Sequence, residues 1–144
     1  MNLTQVLGRV RPSRIRVPFY ACRVSAGFPS PADDFAEAAL SLDELTEVRA
    51  PSTYLVRVGG DSMIERGIFN GDVLVVNRAL DAVSGDVVIA CIGGEFTVKE
   101  FSFRQGHPPM LVPANPRYQP IYLREGEEND LFGVATYCLH KLRR

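Results

Sequence analysis

Histidine, cysteine and lysine are scarce in this 144-residue sequence, and tryptophan is absent. The two histidines, His107 and His140, lie far apart, and the three cysteines, Cys22, Cys91 and Cys138, form neither an even set nor a close-spaced pair. That pattern argues against a disulfide framework and against a metal site, and it fits a reducing compartment. No apolar run approaches the ~20 residues that a membrane-crossing helix needs. A secretory leader is not expected either, because Arg9, Arg11, Pro12, Arg14 and Arg16 interrupt the N-terminal segment before any apolar stretch develops. The chain therefore reads as cytoplasmic, with no membrane contact and no cofactor.

What is present is enough for one domain with a real core, at 46% hydrophobic and 23% charged residues. The net charge of −1 conceals an uneven distribution. Residues 1–26 hold five arginines and no acid, which leaves 11 basic against 17 acidic groups, or −6, on residues 27–144. A basic arm on an acidic body can bind nucleic acid or lie against its own surface. Neither interleaved aromatics nor a groove-reading helix accompanies the arm, so direct sequence-specific DNA binding is not expected.

Residues 1–26 show no sustained hydrophobic period and are punctuated by Pro12 and Pro18, which predicts an extended arm. Gly27-Phe28-Pro29-Ser30-Pro31 continues it as extended, weakly protected chain, which suits a protease as substrate but by itself reads as a plain linker. Between Asp33 and Glu47 the pattern predicts two short helices. Asp33 or Asp34 would cap the first, and the Ser41-Leu42-Asp43-Glu44 capping box the second. Beyond Pro51 the character changes to short Val- and Ile-rich runs separated by glycine-containing turns. Strands are predicted at 54–58, 73–77, 87–92, 95–103, 110–113, 120–123 and 131–140, with Gly93-Gly94 as a tight hairpin turn.

Gly59-Gly60-Asp61-Ser62-Met63 follows the first of these runs, and its glycines allow a sharp turn from which a serine hydroxyl could project. A nucleophilic serine needs a base, and the two histidines are poorly placed to supply one. Arginine stays protonated, whereas a buried lysine can lose its charge. Of the 16 basic residues only Lys99 and Lys141 are lysines, and Lys141 belongs to a charged tail. Strand alternation places Lys99 on one face with Thr97, Phe101 and Phe103, where the aromatics could desolvate it. Taken alone, these residues fit a solvated strand lysine and an ordinary turn serine at least as well. Cys91 and the Cys138–His140 pair read as packing residues.

Several motifs, in this order and spacing, resemble the UmuD branch of the LexA-like self-cleaving Ser/Lys proteases. They are Ala26-Gly27-Phe28-Pro29-Ser30-Pro31-Ala32, Gly60-Asp61-Ser62-Met63-Ile64, Gly71-Asp72, Gly85-Asp86, Gly94-Glu95-Phe96-Thr97-Val98-Lys99, the run from Leu111 to Tyr118, and Phe132-Gly133-Val134. The resemblance implies a mainly β, LexA/signal-peptidase-like catalytic domain with short helices and an extended N-terminal arm. It implies Ser62 as nucleophile, Lys99 as neutral general base, and the backbone amides of Asp61 and Ser62 as oxyanion donors. The Ala26–Gly27 bond would be the substrate, dividing the chain into an arm, 1–26, and a body, 27–144. Ala26 agrees with LexA-like repressors where a familiar UmuD has cysteine.

The resemblance further implies an SOS-response homodimer whose cleavage is promoted by RecA filaments on single-stranded DNA. Its product would be the accessory subunit of an error-prone translesion polymerase, joining a Y-family catalytic subunit of the UmuC kind. Twenty-six residues before the cut are too few for a helix-turn-helix domain, so a LexA-type repressor is not expected. The alternative is a non-catalytic module of the same fold that regulates a polymerase without being processed.

Overall fold

The structure, a computed structural model, describes residues 3–13, 15, 17–20, 36–49 and 51–143, with 17–20 and 36–40 as backbone alone. The chain divides into two compact units, one of Met1–Val10 with Arg49–Arg144 and the other of Arg11–Val48.

The larger unit is a single antiparallel sheet of eight strands. In chain order these are β1 (Gln5–Arg9), β4 (Thr53–Arg57), β5 (Val73–Asn77), β6 (Val87–Ile92), β7 (Glu95–Ser102), β8 (Met110–Val112), β9 (Ile121–Tyr122) and β10 (Asn129–Leu139). Their order across the sheet is β1-β4-β5-β10-β6-β7-β8-β9, so the last of these strands in the chain lies in the middle. The smaller unit pairs β2 (Val17–Tyr20) antiparallel with β3 (Ala36–Leu40) and adds one short helix, α1 (Leu42–Leu45). The fold is the mainly β one that the sequence predicts, with very little helix. Among the described residues no helix is long and apolar enough to cross a membrane.

All seven predicted strands are present, two of them with the predicted bounds. Gly93 and Gly94 turn β6 into β7 with φ of 57° and 84°, a left-handed pair that side chains with a Cβ adopt poorly. The second predicted helix forms as a single turn, capped by Ser41 Oγ accepting from the Glu44 amide at 3.1 Å. The first does not. Its proposed caps, Asp33 and Asp34, lie outside the described residues, and 36–40 is strand, because pairing with β2 overrides the helical preference of Ala-Glu-Ala-Ala-Leu. The sequence pattern also gives no sign of β1. Part of the predicted arm is an edge strand of the main sheet, paired with β4 and bulged between Val6 and Gly8.

Alternation along the central strands sends apolar side chains to both faces. Val56, Met63, Ile68, Leu74, Val76, Ile89 and Val98 form one cluster, and Val88, Ala90, Phe101, Leu111 and Val134 form another. Two bulges in β10 bend it between its neighbours. At Gly133 the approach is so close that a Cβ would stand 2.7 Å from Val76 Cγ1.

Candidate active site

Ser62 lies in the connection from β4 to β5, which closes on itself where Val58 donates to the Asp72 carbonyl and Gly71 to the Val58 carbonyl, both at 2.8 Å. Gly60, at φ 85°, makes the bend ahead of the serine. Met63, 1% exposed, drives the next side chain into the core and so fixes which way Ser62 faces. Contacts hold nearly every residue of the turn. The Gly59 amide donates to Thr4 Oγ1 at 3.0 Å and the Gly60 amide to Asn70 Oδ1 at 2.9 Å. Asn115 Nδ2 donates to the Asp61 carbonyl at 2.9 Å, Tyr118 donates its hydroxyl to the Asp61 carboxylate, and the Ala114 amide donates to the Ser62 carbonyl at 2.8 Å. The Glu65 amide in turn donates to the Ala114 carbonyl at 2.9 Å. Among the described residues, the amides of Asp61 and Ser62 have no acceptor.

Lys99 arrives from β7. It is 6% exposed, and Nζ stands 3.0 Å from Ser62 Oγ, 2.7 Å from Thr97 Oγ1 and 3.2 Å from the Val98 carbonyl. Register pairs Lys99 with Val88 on β6, and Phe101 follows two residues on, so the lysine shares its face with apolar side chains. Burial lowers its pKa below the ordinary 10.5. The three oxygens around Nζ can be satisfied by a neutral amine as well as by an ammonium. Two N–H groups can donate to Thr97 and Val98 while the lone pair accepts from the Ser62 hydroxyl. Thr97, noted in the sequence only for its strand face, is thus a direct neighbour of the amine. Phe103, expected to help desolvate Lys99, is 53% exposed and does not, because its strand ends at Ser102. The directly opposed Val88 and the buried Phe101 line that face instead.

Ala26 and Gly27 lie outside the described residues. Lys141 stands exposed beyond β10. Sequence reasoning missed Asn115, which is 3% exposed, since nothing local marks an asparagine 54 residues downstream as the partner of Asp61.

A second polar cluster lies at the far end of the same connection. The buried Asp72 carboxylate accepts from the Phe69 amide at 2.9 Å, meets His140 Nδ1 at 2.5 Å and lies 3.4 Å from Cys138 Sγ. Burial alone would raise the Asp72 pKa, but these partners outweigh it and hold the carboxyl below its ordinary range. Partial burial of the sulfur, together with the same carboxylate, pushes the Cys138 thiol up to about 11. A thiol held protonated is a poor nucleophile, and Cys138 with His140 serves to clasp Asp72. Among the described residues, no group of three or more His, Cys, Asp or Glu side chains could hold a metal ion.

A serine hydroxyl thus lies within hydrogen-bond reach of a buried lysine amine on an antiparallel β scaffold. Residues 18–136 match the family model described as Peptidase S24-like, and the chain belongs to that family of serine peptidases. It is 46% identical to protein MucA of Salmonella typhimurium over 125 residues, 85% of this chain and 84% of MucA. With protein SamA of the same species it shares 42% identity over 132 residues, 92% of this chain and 91% of SamA. LexA repressor 2 of Pseudomonas syringae pv. tomato is 41% identical over 124 residues, 86% of this chain but only 60% of the repressor. MucA and SamA are UmuD-like proteins, which puts the chain in the UmuD branch to which its motifs point.

Proposed function

We propose that this protein cleaves its own Ala26–Gly27 bond, with Ser62 as nucleophile and Lys99 as general base. The observation that carries the reading is the 3.0 Å approach of the buried Lys99 Nζ to Ser62 Oγ, with only neutral oxygens around the amine. Neutral Nζ takes the Ser62 proton as Oγ bonds to the Ala26 carbonyl carbon. The resulting oxyanion is held by the amides of Asp61 and Ser62, whose turn is already braced and needs no reorganisation. Collapse breaks the C–N bond, and the Gly27 amine leaves with the proton that Lys99 carried. Water then attacks the acyl carbon, Lys99 accepts its proton and returns it to Ser62, and residues 1–26 are left with a free carboxylate.

The products are the arm, 1–26, and the body, 27–144. The body serves as the accessory subunit of an error-prone Y-family polymerase of the UmuC kind, and RecA filaments on single-stranded DNA promote the cut. The active species is a cytoplasmic homodimer. Similarity to MucA and SamA over most of their length supports this assignment over a repressor. The test is incubation of the purified protein with RecA filaments, or at mildly alkaline pH, followed by mass analysis. A 26-residue fragment is expected from the parent and not from Ser62→Ala or Lys99→Ala. Cleavage in those variants at the parental rate would remove the peptidase assignment.

A further inference from the structure

Among the described residues, both strands that precede the proposed scissile bond are paired with strands that follow it. β1 lies antiparallel on β4 in the larger unit, and β2 lies antiparallel on β3 in the smaller one. In sequence, the bond between residues 26 and 27 lies after Tyr20, the end of β2, and before Ala36, the start of β3. Cutting it therefore breaks the covalent link and leaves both of these described pairings in place. An arm that its charge alone would lay loosely on an acidic surface is held by backbone pairing.

The first pairing is the better anchored. Gln5, Val6, Gly8 and Arg9 stand opposite Arg57, Val56, Leu55 and Tyr54, and the ladder continues where the Val10 amide donates to the Thr53 carbonyl at 2.9 Å. Val6 packs against the cluster of Val56, Met63 and Val98. Thr4 Oγ1 accepts from the Gly59 amide at 3.0 Å and reaches the Gly59 carbonyl at 3.4 Å. The Arg9 guanidinium donates to the Tyr54 hydroxyl at 3.2 Å and lies over its ring. Main-chain pairing along a sheet edge, with an alternate side chain in an apolar site, is a general mode of peptide recognition.

We infer that the excised segment 1–26 remains bound to the body as a peptide ligand, with the edge of β4 as its main binding site. The inference rests on the self-cleavage reading only for the cut itself. While the peptide stays, β4 has no open edge and Thr4 continues to brace the turn that carries Ser62. Its later departure uncovers unpaired amides and carbonyls along β4 together with the apolar site of Val6, a surface fit for an extended strand of another protein.

Two cut proteins test this. One is the parent, cut by itself. The other is Ser62→Ala carrying the recognition sequence of a site-specific protease between Gly27 and Phe28, cut by that protease. Each is passed over a gel-filtration column in native buffer, and the body peak is analysed by denaturing mass spectrometry. The fragment is expected in the body peak in both cases and at about 1 M salt, where exposed charge pairs are screened. Val6→Asp should weaken its retention about tenfold or more, the effect of losing one apolar side-chain contact. A fragment that elutes apart from the body in both proteins overturns the inference, as does one that is lost at high salt and indifferent to Val6→Asp. If the parent stays whole while the protease-cut protein keeps its fragment, the self-cleavage reading fails and the strand-held peptide stands.

Discussion

Replacing Lys99 with methionine separates the two consequences of burying an amine. The substitution keeps most of the unbranched stem against Val88 and Phe101 and removes the nitrogen that lies 3.0 Å from Ser62 Oγ. Loss of a general base typically costs on the order of 10²–10⁴-fold in rate, so self-cleavage should fall by that factor. The stability effect has a sign of its own. Burial places the folded-state pKa of Lys99 below 10.5, so between that lowered value and 10.5 the unfolded chain binds one proton more than the folded chain. Stability therefore rises with pH across this window, by at most about 1.4 kcal/mol per pH unit for a single proton. Below the window the folded protein carries the full cost of a buried charge, and above it that cost is gone. In a Ser62→Ala background, which cannot cut itself, urea unfolding followed by circular dichroism should show this slope when Lys99 is present. Adding Lys99→Met to that background should flatten the profile. The cleavage rate of the parent should climb as pH approaches that lowered value and level off above it, as neutral amine accumulates in the folded protein. Parallel stability profiles for the two proteins, or a parental rate that does not rise with pH, would refute the claim that Lys99 is desolvated and acts as a base.

Three further outcomes follow from particular contacts. Asn115→Ala should cost about 1–3 kcal/mol by leaving the Asp61 carbonyl without its donor, and should slow self-cleavage. Asn115→Asp, which keeps Oδ1 but loses the donor, should slow it similarly, and a parental rate in both would show that the brace on Asp61 does not matter. Asp72→Asn should cost roughly 1–3 kcal/mol at neutral pH by weakening the contacts to His140 and Cys138. Because the folded carboxyl lies below its ordinary 3.8, the difference from the parent should shrink as pH falls through that lowered value, as read by unfolding at a series of acid pH values. Gly133→Ala should destabilise by about 1–3 kcal/mol, since its methyl would press on Val76 Cγ1 and the Asn77 carbonyl. An unchanged melting temperature would contradict that close approach.

Strands with strong local signals were legible in the sequence. Val73–Asn77 and Val87–Ile92 are β-branched runs bounded by turns, and Gly93-Gly94 permits little else than the hairpin observed. Lys99 could be singled out by elimination, because the chain offers so few groups able to act as a base. What the sequence concealed is what depends on partners far along the chain. Gln5–Arg9 has no alternation of its own and becomes a strand because β4 presents an unpaired edge. Ala36–Leu40 has the composition of a helix and is strand because β2 supplies its hydrogen bonds. Asn115, Tyr118 and Thr4 reach the Ser62 turn across separations of more than 50 residues, and no short-range pattern could announce them.

The central place of β10 also bears on how Ser62 and Lys99 come to meet. Ser62 follows β4, on one side of that strand, and Lys99 lies on β7, on the other. The ladder linking these halves runs through β10, which follows all of their strands in the chain. A nascent chain can complete β4-β5 and β6-β7 as separate hairpins, yet it lacks the strand that brings them into register. The meeting of serine and lysine thus depends on a strand that comes after both of them in the chain.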